Sequence, residues 1–215
     1  MMIDFDIKVQ SVLTTYHKRI ATENKLMQTL PLEEGMKMRD EFLLPVGREV
    51  GQFLNALIKG SKAKTILEIG TSYGYSTLWL AEAARANKGK VITLENNPEK
   101  VVYAKEKIEE AGLIQFVDFR VGDALESIEN ATETFDFVLL DIWKELYVEC
   151  FDLFYSKLNK GAWVLGDNML LPPHSTKETN AYRKSITNKK TFTSILMPIG
   201  SGIEVSHYKN YEYEI

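Results

Sequence analysis

The sequence predicts an α/β fold: a doubly wound, mostly parallel seven-stranded sheet with a C-terminal antiparallel hairpin and an N-terminal helical cap. Three observations carry this. From Lys64 onward, short apolar runs alternate with amphipathic stretches of helical period, the pattern of chained βαβ units. Glycine and proline stand at the junctions where helices begin and end, not inside the runs. The tail changes character, with two apolar runs joined by Pro198-Ile199-Gly200-Ser201-Gly202, a turn that suits a hairpin.

Taken in order, residues 3–30 set Ile7, Val12, Leu13, Tyr16, Ile20 and Leu26 among polar neighbours, which suits one or two amphipathic helices. Pro31 and Gly35 mark a loop, and Val50, Phe53, Leu54, Leu57 and Ile58 recur at helical spacing up to Gly60. Residues 36–44, mixed apolar and charged, either cover a site or pack. The first strand is expected over 65–69, then a helix over 76–86, a strand over 91–94 and a helix over 98–111, with Pro98 in its first turn and Gly112 just beyond. Strands follow over 116–121 and 135–140. Leu146, Cys150, Leu153, Phe154 and Leu158 mark a further helix closed by Gly161, before a fifth strand over 162–165. A helix near 175–187 leads to the hairpin strands, 191–197 and 203–208.

A chain of 215 residues, 45% of them hydrophobic, buries a sizeable core without a reason to split, so one domain is expected over 1–215, with a cap over 1–60 and a core over 61–215. The net charge of -4 argues against a broad nucleic-acid or anionic-membrane footprint. No run approaches the roughly 20 apolar residues of a membrane span, and the first residues lack the layout of a signal peptide. Cys150, the lone cysteine, fits a reducing compartment and a buried apolar position. A cytoplasmic protein acting on a small molecule is therefore expected, with no membrane partner.

Glu68-Ile69-Gly70-Thr71-Ser72-Tyr73-Gly74-Tyr75-Ser76 joins the first strand to the first βαβ helix. Glycines there let the backbone approach a ligand, and the helix start offers free N–H groups. The dinucleotide fingerprint G-x-G-x-x-G fails, because Ser72 and Tyr75 stand where glycines belong. The pattern is instead E-x-G-x-x-x-G-x-S. It is followed by Glu95 at the end of the second strand, placed for a ribose or to cap the next helix, and by Asp123 after the third, placed for an adenine amino group or to cap a short helix.

Leu139-Leu140-Asp141-Ile142-Trp143-Lys144 ends the fourth strand, and Gly166-Asp167-Asn168 ends the fifth. In a doubly wound sheet these ends face one crevice. Two carboxylates brought to about 4 Å would repel by roughly 4 kcal/mol at an effective dielectric of 20, so they want a proton, a base or a cation. With Asn168 the set is all oxygen and suits Mg²⁺ better than zinc. The other reading gives Asp141 to the cofactor's amino group and makes Asp167-Asn168 a turn.

The cofactor motif resembles that of class I methyltransferases, which bind S-adenosylmethionine; this implies cofactor contacts at Glu68, Gly70, Tyr75, Ser76, Glu95, Asp123 and Asp141. Asp141-Ile142-Trp143-Lys144-Glu145-Leu146-Tyr147, with Gly166-Asp167-Asn168-Met169, is similar to the metal and lysine motifs of catechol O-methyltransferase and its caffeoyl-CoA and bacterial relatives, from roughly Leu43 to the C-terminus. The resemblance implies the class I methyltransferase fold and a divalent metal, Mg²⁺ (or Mn²⁺ or Ca²⁺), held by Asp141, Asp167 and Asn168. It further implies Lys144 as base, a small phenolic or vicinal-diol acceptor, and a homodimer. The animal catechol enzymes carry an acid in the strand before the closing turn, where this chain has Ile195, Leu196 and Met197. That departure argues against catechol itself, and the Pro198-Ile199-Gly200-Ser201-Gly202 turn is more similar to that of the bacterial members, some of which methylate small phenolics and others a hydroxylated nucleoside in tRNA. A non-catalytic cofactor-binding module is the remaining alternative. His174 is either pocket-lining or a surface loop residue.

Overall fold

The computed structural model describes residues 5–171 and 176–209. Three cap helices, α1 (Ile7–Thr29), α2 (Leu32–Lys37) and α3 (Arg48–Ser61), precede the sheet. Strands β1 (Thr65–Ile69), β2 (Lys90–Glu95), β3 (Val117–Val121) and β4 (Phe135–Leu140) then alternate with helices α4 (Tyr75–Asn87), α5 (Pro98–Glu110) and α6 (Ala124–Glu129). Helix α7 (Tyr147–Tyr155), β5 (Leu158–Gly166), α8 (Thr176–Thr187), β6 (Phe192–Met197) and β7 (Ile203–Tyr208) complete the chain. The seven strands lie in the order β3-β2-β1-β4-β5-β7-β6. β7 runs antiparallel to both its neighbours, as the expected hairpin requires.

Strand residues alternate between two apolar layers, because successive side chains leave opposite faces. On β4, Phe137 and Leu139 join the layer under α1, α3, α4 and α5, while Val138 and Leu140 join the layer under α7 and α8. All four are fully buried, and each contributes on the order of 1.5–3 kcal/mol. The cap is docked by polar contacts as well. Glu82 on α4, itself buried, accepts from Asn55 Nδ2 and Lys59 Nζ of α3 at 2.6 Å each.

Three expectations need correction. Residues 7–29 form one helix, and its buried face is Val9, Val12, Leu13 and Tyr16; Ile7 and Leu26 are exposed. Leu158 does not continue α7, because it pairs with Phe135 as the first residue of β5. Gly161, at φ +82°, therefore does not close a helix but sits in β5, where the pairing register shifts between Phe135 and Phe137. Residues 36–44 include a 3₁₀ turn, Arg39–Glu41, followed by buried Phe42 and Leu43 and then exposed Leu44. No described helix is long and apolar enough to cross a membrane.

Candidate active site

The carboxyl ends of adjacent parallel strands gather the predicted residues in two groups. In the first, Gly70 follows β1 at φ +106°, and a Cβ there would collide with the carbonyl oxygen of Asp141. Only glycine lets the loop cross so close to the end of β4. Its N–H and that of Thr71 both donate to Leu94 O at 3.0 Å, which ties the loop to β2. Gly74 then starts α4 in the left-handed region, and no side chain caps that helix. The first N–H groups of α4, at Tyr75 and Ser76, are thus not taken by a side-chain cap.

Glu68 is fully buried on β1, where its Oε2 accepts from Thr77 Oγ1 and Thr93 Oγ1 at 2.6 Å each. Its Oε1 has no hydrogen-bond partner. Burial pushes the Glu68 carboxyl up to about 7, against the neighbouring hydroxyls, which favour the charge. Glu95, at the end of β2, accepts from Ser72 N at 2.8 Å through one oxygen and from Asn97 N at 3.0 Å through the other. Asn97 itself caps α5, so Glu95 does not do so. Asp123 caps α6, its Oδ1 accepting from Glu126 N at 3.0 Å. Tyr75 turns its hydroxyl to His17 Nε2 of α1, 3.1 Å away, and Ser76 is buried beside it.

The second group lies at the ends of β4 and β5. Asp141 N donates to Ile69 O at 2.9 Å and Asp167 N to Leu140 O at 3.0 Å, so each acid is carried by the hydrogen-bond ladder itself. Lys144 opens a 3₁₀ turn and is buried. Its Nζ donates to Tyr147 Oη at 2.6 Å and to Ile142 O and Asn168 Oδ1 at 3.2 Å each. Tyr147 Oη in turn donates toward Leu140 O at 2.7 Å, with Asp167 O at 3.1 Å. Asn168 adopts φ +53°, a conformation asparagine tolerates better than most residues.

Burial raises the carboxyl of Asp141, opposed by the Lys144 charge. It also raises that of Asp167, which the facing Asp141 charge lifts further. The Lys144 ammonium is held below the usual lysine range by desolvation, although both acids oppose this. Among the described residues Asp167 Oδ1, which is buried, has no hydrogen-bond partner.

A family model described as O-methyltransferase matches residues 17–205. The chain belongs to the O-methyltransferase family. A catechol O-methyltransferase of Niastella koreensis is 32% identical over 157 residues, 71% of this chain and 70% of that one. A second catechol O-methyltransferase, from Mycobacterium tuberculosis, is 34% identical over 128 residues, and the match spans 59% of this chain and 58% of that protein's length. Among solved structures, the O-methyltransferase from Bacillus cereus in complex with SAH superposes with a TM-score of 0.76 at 25% identity, covering 97% of this chain and 94% of the other. The protein is thus an S-adenosylmethionine-dependent O-methyltransferase.

Within this O-methyltransferase several contributors have weak sequence signals. Tyr147, one helical turn after Lys144, could have been found from that spacing. Thr77 and Thr93 had none, since their partner Glu68 comes from a different element. The cap also reaches the loop between β1 and α4, where Tyr16 Oη donates to Tyr73 O at 2.6 Å. Arg39 lies over the Trp143 ring, its Cζ 5.4 Å from the centroid. His174 lies outside the described residues.

Proposed function

We propose that this enzyme methylates a hydroxyl of a small phenolic or vicinal-diol acceptor, with a divalent cation held by Asp141, Asp167 and Asn168. Relatives named for catechol support the acceptor class. Two features support the cation. A carboxylate oxygen that is buried without a donor, as Asp167 Oδ1 is, carries a desolvation penalty that a cation would relieve. The donors are two carboxylates and an amide, an all-oxygen set that suits a hard divalent cation.

When bound, S-adenosylmethionine supplies an activated methyl group and Mg²⁺, Mn²⁺ or Ca²⁺ lowers the pKa of a hydroxyl beside it. Glu95 and the main chain around Gly70 would hold the cofactor, one through its carboxylate and the other through close backbone approach. Lys144 would take the acceptor proton at Nζ. As a neutral amine it would have two N–H groups, enough for Tyr147 Oη and Ile142 O, and its lone pair would take the place of the third bond, the one to Asn168 Oδ1. Tyr147 fixes that direction, because its own proton is committed to main-chain oxygen. Rate enhancement would come chiefly from alignment of the hydroxyl oxygen with the methyl group.

The observation that carries this reading is Lys144 Nζ beside Asn168 Oδ1 at the adjacent ends of β4 and β5. Methyl transfer to a panel of vicinal diols should fall to background in EDTA and return with added Mg²⁺. Turnover that survives EDTA unchanged would remove the cation from the reading.

A further inference from the structure

Arg39 is a cation beside the site that no described acid neutralises. It begins the 3₁₀ turn between α2 and α3, and its guanidinium lies over Trp143, two residues from Asp141 and next to Lys144. Its charge reaches the Lys144 amine, where it disfavours protonation. Among the described residues its side chain has no ion pair and no hydrogen bond. The acids beside it do not serve, because Asp40 is turned to Lys100, 3.9 Å away, and Glu41 is exposed.

The position of Arg39 is built, not incidental. Arg19 of α1 donates to Glu41 O at 3.0 Å, and Glu23 of the same helix accepts from Leu43 N at 2.8 Å. These contacts clamp the turn on both sides of Phe42, which is buried. The ring beneath Arg39 is open to solvent: Trp143 is 52% exposed. A guanidinium stacked on an aromatic face keeps its N–H edge for a planar anion, and a carboxylate matches that edge in a bidentate pair.

We propose that Arg39 recognises a carboxylate on the acceptor, so that the preferred substrates are vicinal-diol aromatic acids rather than neutral diols. The diol faces Lys144, the ring lies along Trp143, and the carboxylate meets Arg39. This rests on the reading of the site as a hydroxyl-methylating centre. It supplies a reason for an unpaired arginine that methyl transfer alone does not need.

The test is a selectivity ratio: kcat/KM for 3,4-dihydroxybenzoate over kcat/KM for catechol, measured on the full chain with S-adenosylmethionine and Mg²⁺. Both substrates share one preparation, so a partly unfolded variant scales them together and leaves the ratio intact. The native enzyme should favour the acid, and Arg39→Met should lower the ratio about ten- to hundredfold, mostly through KM of the acid. Arg39→Lys should fall between, because it keeps the charge and loses the planar fork. An unchanged ratio in Arg39→Met, with catechol still methylated, overturns the role of Arg39 alone. Failure of the native enzyme to methylate either diol overturns it together with the reading of the site.

Discussion

The two halves of the same sheet edge are built on opposite electrostatic plans. At the ends of β1 to β3 the carboxylates are held by the protein's own donors: Glu95 by two main-chain N–H groups, Asp123 by the start of α6, and Glu68 in part by two threonine hydroxyls. At the ends of β4 and β5, Asp141 and Asp167 face each other and a buried lysine, and Asp167 Oδ1 has no hydrogen-bond partner among the described residues. The first half is set before anything binds. The second is a concentration of buried charge that the protein's own described donors leave partly unsatisfied.

The sharpest way to break this contrast is to remove the amine. Lys144→Met should lower kcat/KM for a vicinal diol roughly 10²–10⁴-fold, the usual span for a lost general base. Affinity for S-adenosylmethionine should stay within about twofold, because Glu95 and the Gly70 main chain, the groups proposed to hold it, make no hydrogen bond with Nζ. Steady-state kinetics and calorimetry on the same variant decide this. A parallel loss of cofactor affinity would mean that the two halves are not separable.

Glu68 tests the limit of the first plan, since hydroxyls satisfy only one of its oxygens. Its pKa rises from 4.5 to about 7 on folding. Below pH 4.5 both states hold the proton and nothing is lost. Between 4.5 and 7 the unfolded chain releases it first, so stability falls as pH rises, by on the order of 3 kcal/mol, and then levels. Glu68→Gln should flatten that part of the profile in urea unfolding across pH 4 to 8. A slope equal to the native one would show that the buried carboxyl does not titrate there.

Most of the frame was legible because parallel strands buried on both faces read as apolar runs, and their ends read as glycine or acid. The run 135–140 followed by Asp141 is β4 as expected, and 162–165 falls inside β5, which the structure begins four residues earlier at Leu158. Leu158 misled because the 3.6-residue spacing from Leu146 continues through it by coincidence. Its pairing with Phe135 lies 23 positions away and has no local signature. The same reason hid Arg39 over Trp143, Tyr16 against Tyr73 and the threonines around Glu68. Each is a contact between elements distant in sequence, and periodicity reports only which face an element buries.

The smallest expected effect concerns Asp123, where one side chain can serve both the fold and the ligand. Its Oδ1 caps α6, a helix of only six residues, and Oδ2 has no partner among the described residues. Asp123→Ala should therefore cost about 1 kcal/mol of stability through the cap. Asp123→Ser restores a capping oxygen but is one carbon shorter, so it should recover that stability in urea unfolding. Calorimetry with S-adenosylmethionine then separates the two duties. A several-fold loss of affinity that persists in Asp123→Ser, in line with one lost hydrogen bond, assigns Oδ2 to the cofactor. Affinity that recovers with the cap leaves Asp123 a structural residue, and the first half of the edge then binds through Glu95 and main chain alone.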